Sequence, residues 1–177
     1  MENTVFFDLE TQKSFQEVGG RQNLRLLGMS VAVTYSSATG KYHDYLEQDA
    51  PALVRELFGA RLVVGFNVRN FDYEVLRAYT TEHLEAIPTV DILTDIYNQL
   101  GFRLPLDAVA EATLGVSKSA DGLQAIRWYR QGEIAKLLRY CRHDVDITRQ
   151  LYEHGRENGY LLYRDKFGQK RRIRVNW

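Results

Sequence analysis

The chain opens with an apolar run, Val5, Phe6, Phe7 and Leu9, broken by Asp8 and closed by Glu10. Apolar residues on both parities predict a strand buried on both faces, about Thr4 to Leu9. After Gly19-Gly20, the stretch Leu24 to Tyr35 is rich in Val and Leu and predicts a second strand. "SSATGK" is a turn, and "KYHDYLE" alternates as a third strand would. The first part is therefore read as a β-meander.

The period then changes from two to 3.6. Asp49 and Pro51 mark a helix start, with Leu53, Val54, Leu57 and Phe58 as its apolar stripe. "RLVVGF" is a short buried strand, "NFDYEVLRAY" a helix, and "IPTVDI" a short strand before a helix through Asn98. "LPLDAVAEATLG" reads as helical up to Gly115, and Gly132 to Gly159 as one long helix. "YLLYRDKFGQKRRIRV" alternates as a hairpin turning near Gly168. Hairpin strands followed by alternating helix and strand define a mixed α/β sheet with helices on both faces. Residues 1–159 are expected to form the domain, with 160–177 as a hairpin extension of it.

Composition narrows this little. The 177 residues suit one domain with a substantial core. Basic and acidic residues balance at 23 each, so any nucleic-acid contact has to come from local patches. One cysteine, Cys141, excludes an internal disulfide and suits a reducing compartment. With no secretory pattern and no apolar stretch near the roughly 20 residues a bilayer needs, a cytoplasmic protein with no membrane partner is expected. Nothing in the sequence sets an oligomeric state.

The chemistry lies where acids interrupt apolar elements. Asp8 and Glu10 share one face of the first strand, their Cα atoms about 6 to 7 Å apart. Such a pair can also mark a strand simply leaving the core. Asp72 falls early in a helix, where the helix dipole favours an acid for capping alone. On the long helix, Ile134, Leu138, Cys141, Val145, Thr148 and Tyr152 form one apolar row, and Leu137, Tyr140, Asp144, Ile147 and Leu151 the next. Asp144 therefore faces the core, away from the expected wet side with Arg142, Asp146 and Arg149. A buried carboxylate needs a cation, either an arginine or a metal. Four carboxylates converging at one sheet edge would repel one another unless divalent ions neutralised them, and all-oxygen donors select Mg²⁺ or Mn²⁺.

These residues carry a resemblance to the DEDD 3′–5′ exonucleases of the ribonuclease-H-like superfamily, in the tyrosine (DEDDy) subclass. "FFDLET" resembles the first motif, with Asp8 and Glu10; "GFNVRNFD" the second, with Asp72; "YCRHD" the third, Tyr-x-x-x-Asp, with Tyr140 and Asp144. The subclass with histidine five residues before the aspartate does not fit, because Arg139 stands there. His143 is read as a surface residue.

The resemblance implies a five-stranded mixed sheet and a pair of Mg²⁺ or Mn²⁺ ions held by Asp8, Glu10, Asp72 and Asp144. Asp8 would bridge both ions, and Tyr140 would orient the attacking water. The substrate would be the 3′ end of single-stranded DNA or RNA, shortened stepwise to 5′-mononucleotides. Thr11 could meet the terminal sugar or phosphate, or merely end the strand. Asn67 could touch the backbone or cap the helix. Phe71 could stack a base or belong to the core. Lys170, Arg172 and Arg174 could share one hairpin face toward phosphates, or guard an edge strand. Asp91 and Asp95 are further acids near the expected crevice, read as helix caps or solvated side chains. The alternatives are a structure-selective endonuclease on the same fold and a catalytically silent nucleic-acid-binding subunit.

Overall fold

The computed structural model describes residues 3–116 and 121–177. Five strands form one sheet in the order β3-β2-β1-β4-β5: β1 (Thr4–Thr11), β2 (Met29–Ser36), β3 (Lys41–Leu46), β4 (Leu62–Gly65) and β5 (Thr89–Asp91). The β1, β2 and β3 pairs are antiparallel, whereas β4 and β5 run parallel to β1. Hence β1 is central, as its two-sided apolar pattern requires.

Alternation along β1 sends its side chains into two separate cores. Val5, Phe7 and Leu9 pack with α1 (Ala50–Gly59) and α2 (Asp72–Leu76). Phe6 points to the opposite face, into the core built with α3 (Ile92–Leu100), α4 (Leu106–Leu114), α5 (Gly122–Arg130) and α6 (Ile134–Asn158). Asp8 and Glu10 share the parity of Phe6 and so face α6. That shared face is why two acids on one strand can meet an acid on a distant helix.

Several boundaries differ from the sequence reading. Arg21–Leu26 is a 3₁₀ segment, and β2 begins only at Met29. The apolar run of Leu24, Leu26 and Leu27 imitates strand, yet Leu26 is exposed. On α1, Pro51 and the buried Leu53, Val54 and Leu57 match the expected stripe, but Phe58 is 39% exposed. The helix after the second motif is short, Asp72–Leu76, with Phe71 rather than an asparagine at its N-cap. Helix α5 is an additional helix that the hydrophobic pattern does not predict.

Helix α6 runs unbroken for 25 residues and buries both predicted rows from Leu137 to Tyr152, except for the half-buried Leu138. Its supposed wet side is half-buried instead, because β2 and β3 reach it. The Arg142 guanidinium bonds Asp44 (2.9 Å), Tyr42 donates to Asp146, and Arg149 lies 4.5 Å over the Tyr35 ring.

Beyond α6, β6 (Tyr160–Arg164) and β7 (Lys170–Arg174) form a separate antiparallel ribbon. Leu161 and Ile173 enter the α6-side core, and Thr113 Oγ1 donates to the Leu162 carbonyl (3.1 Å). The following tail crosses α6 at Gly155, where a Cβ would stand 2.5 Å from the Trp177 ring. Trp177 stacks on Tyr152 and donates its indole N–H to Asp95 (2.6 Å). Asp95 thus holds the tail, neither capping a helix nor standing solvated.

Candidate active site

The site forms where β1 outruns its neighbour. Strand β4 pairs with β1 only from Thr4 to Phe6, leaving the far part of that edge without a strand partner. A buried backbone N–H must still be satisfied. At Leu9 the partner is the Asp72 carboxylate, 3.1 Å away. A tight loop carries Asp72 there: it turns just after Gly65, where a Cβ would lie 2.1 Å from Val68 Cγ1. Asn67 adopts φ 67°, a left-handed conformation that asparagine tolerates better than most residues. Asp91 fixes the loop by accepting N–H groups of Asn67 (2.8 Å) and Arg69 (3.0 Å), while capping α3 through Thr94 (3.2 Å).

Helix α6 supplies the other wall. Tyr140, Cys141 and Asp144 are buried on its sheet-facing side. The Cys141 thiol approaches the Asp8 carbonyl oxygen (3.3 Å), and ligand atoms of Asp8, Glu10 and Cys141 all lie within 4.8 Å of one another. Trp128 of α5 packs edge-on against Tyr140, ring centroids 5.9 Å apart.

These walls enclose a cavity of about 510 Å³. Asp8, Glu10, Thr11, Phe71, Asp72, Tyr140 and Asp144 all line it. Asn67 does not: its side chain accepts a hydrogen bond from Arg103 (2.7 Å) outside the cavity. The Thr11 hydroxyl donates to the Lys13 carbonyl (3.0 Å), so toward the cavity it offers lone pairs, not a hydrogen. Phe71 meets Phe15 edge to face at 6.0 Å. Phe15, Phe66, Asp121, Leu123 and Ile126 line the cavity too, and the sequence marks none of them as a site residue. The helix-start acid Asp121, capping Gln124, was the available signal for α5.

The electrostatics are those of crowded, desolvated acids. Burial, and then the charge of Asp8, pushes the Asp72 carboxyl well above its ordinary range. Burial likewise raises the Cys141 thiol, reinforced by Asp8, Glu10 and Asp144 in turn. The carboxylate oxygens of Asp8, Glu10, Asp72 and Asp144 outnumber this single thiol as donors along the cavity. Among the described lining residues the single cation is Lys13, an exposed side chain. A clustered oxygen donor set with so little positive charge fits a hard divalent ion.

Residues 5–155 match the profile of the RNase_H superfamily, and the chain belongs to that superfamily. Among solved structures, the family B DNA polymerase from the hyperthermophilic archaeon Pyrobaculum calidifontis is similar, with a TM-score of 0.66 and 20% identity. The match covers 88% of this chain and 24% of the polymerase chain, so this chain spans about a quarter of that protein. The likeness is one of fold. A search of curated proteins finds no match. Superfamily membership supports a nuclease acting on nucleic acid, and RNase H-like nucleases use divalent metals. Among the described residues, no helix is long and apolar enough to cross a membrane.

Proposed function

We propose that this protein is a metal-dependent 3′–5′ exonuclease that removes 5′-mononucleotides from the 3′ end of single-stranded DNA or RNA. One observation carries the reading: acids from three distant segments, with Tyr140 beside them, line a single cavity. Asp8, Glu10, Asp72 and Asp144 would hold two Mg²⁺ or Mn²⁺ ions. When bound, such ions supply charge neutralisation and Lewis acidity at the scissile phosphate.

The chain's own groups do the positioning. Tyr140 would present its hydroxyl to the attacking water as an orienting partner, since a phenol near pKa 10 is a poor base at neutral pH. Phe71 and Phe15, already paired edge to face, offer an aromatic wall against which a terminal base can lie. Thr11 would accept a hydrogen bond from a terminal sugar hydroxyl.

A 5′-labelled single strand with Mn²⁺ tests the reading. Shortening by one nucleotide at a time is expected. A few discrete cuts would point to an endonuclease, and binding without products to a silent subunit. Asp8→Ala and Asp144→Ala should each abolish cleavage in a folded protein, and activity persisting in either variant would remove this site.

A further inference from the structure

The β6–β7 ribbon lies outside the residues that match the superfamily, yet its two strands carry five basic residues, Arg164, Lys170, Arg171, Arg172 and Arg174, and no acid. Its register pairs Tyr160 with Arg174, Leu162 with Arg172, and Arg164 with Lys170. Those six residues share one face, while Leu161 and Ile173 turn the other face into the core. Four of the six are cations, and Arg164 and Lys170 stand directly opposite each other.

Like charges across a strand pair destabilise it. Among the described residues, no acid pairs with Lys170, Arg172 or Arg174; Arg164 donates to the Gly168 carbonyl (3.1 Å), and its only acidic contact is the exposed Glu111 at 3.9 Å. Asp165 bonds Arg171, which belongs to the opposite face. Arg172 lies 4.3 Å over the Tyr160 ring, which holds its guanidinium in place at the surface. Local repulsion without a compensating anion is the kind of inconsistency that marks a functional surface.

We propose that this face anchors the sugar–phosphate backbone of the nucleic-acid strand, upstream of the end that enters the acidic cavity. Alternate residues on a strand lie about 6.6 Å apart, so Lys170, Arg172 and Arg174 form an evenly spaced row able to take successive phosphates. Helix α6 sets the distance to the cavity. Arg174 and Tyr160 follow its end at Asn158, and Asp144 lies roughly 21 Å back along its axis at 1.5 Å per residue. A strand of three nucleotides cannot span that gap, whereas one of twenty can. The inference uses the exonuclease reading only to say which part of the strand meets the ribbon.

The test is binding in EDTA, where cleavage cannot interfere, by fluorescence anisotropy of 5′-fluorescein oligothymidylate and oligouridylate of twenty nucleotides. The triple variant Lys170→Ser, Arg172→Ser, Arg174→Ser changes only exposed side chains. It should bind the long probes at least tenfold more weakly than wild type. The slope of log affinity against log salt should fall by about 2, from three contacts at roughly 0.7 each. Cleavage of a trinucleotide in Mn²⁺ should be unchanged.

Equal affinity and equal slope in variant and wild type would overturn the anchor, as would a wild type that does not bind the long probes. So would a variant that merely aggregates while binding as before, which would make the charges edge protection. A wild type that binds but never cleaves would refute the exonuclease reading and leave the anchor standing. Cleavage of short strands with an indifferent ribbon would do the reverse.

Discussion

The thiol of Cys141 reaches both the carbonyl oxygen of Asp8, at 3.3 Å, and that residue's carboxylate Oδ2, at 3.6 Å. One helix side chain is thereby bonded to the strand residue at the centre of the acid cluster, and it sets how the two walls of the cavity meet. Cys141 is a positioning residue on this geometry. Cys141→Ser keeps a donor and should retain turnover within about threefold. Cys141→Val removes the donor at similar volume, which should cost less than about 1.5 kcal/mol of stability. Its turnover should nevertheless fall about tenfold, with more Mn²⁺ needed for half-saturation. Equal losses in both variants would mean that the thiol only packs. Buried and held above its usual pKa, it should also resist thiol reagents until denaturant is added.

Asp72 makes the metal-free protein sensitive to pH. Its folded carboxyl keeps a proton that the unfolded chain releases from near 3.8 upward. The unfolded state then binds fewer protons than the folded one, so stability falls as pH rises from that value through the raised folded pKa. Asp72→Asn should remove this loss while still accepting the Leu9 N–H through its amide oxygen. Melting in EDTA at pH 7 should therefore show the variant with the higher Tm. A lower Tm at pH 7, with no narrowing of the difference at pH 4, would contradict the assignment.

Divalent ions should act in the opposite sense. At one hundred times its Kd, an ion bound only by the folded state contributes about 2.7 kcal/mol. For a domain of this size that raises Tm by roughly 5 to 10 °C. Thermal melts with and without Mn²⁺ measure the shift. Asp8→Asn should abolish it, whereas Asp121→Asn at the α5 cap should keep most of it.

Gly65 is fixed by space. Its added Cβ would come within 2.1 Å of Val68, so Gly65→Ala forces the loop that delivers Asp72 to shift. Overpacking of this kind typically costs 1 to 3 kcal/mol. Chemical denaturation should show that loss, and cleavage should fall more steeply than stability alone explains. Unaltered activity would mean that the loop tolerates the displacement.

Tyr140→Phe separates positioning from metal binding. The ring still packs on Trp128, so the fold and the Mn²⁺-induced rise in Tm should persist. Turnover should fall by about 10²-fold, within the usual range for losing a group that manages a proton in the reaction. An equal loss of metal affinity would contradict its role as the water's orienting partner.

What the sequence disclosed follows from periodicity. Asp144 could be assigned to a buried face because α6 is long and its two apolar rows are regular. Asp8 and Glu10 could be assigned to one face because a strand's period is two. Neither rule reaches a loop residue such as Phe15 or a lone apolar side chain in the first turn of a short helix, such as Leu123. Phe15 and Leu123 meet the cavity only through tertiary placement, which leaves no local pattern. Asn67 reads from sequence as a substrate contact or a helix cap, but its left-handed backbone and its bond to Arg103 belong to the tight turn after Gly65. Helix α5 was missed because its buried residues, Ala125 and Ile126, are too few to form a stripe. The half-buried charges of α6 were misjudged for a different reason: their partners lie on β2 and β3, about a hundred residues earlier.

The antiparallel register of β1 and β2 has a practical use. Thr11 pairs with Met29 at the acidic end and Val5 with Ser36 at the other, so the exposed turn after Ser36 lies at the pole opposite the cavity. A fluorophore or surface tether attached at Ala38 would leave the entrance unobstructed. Single molecules could then be immobilised in one orientation, with the working end turned toward solution.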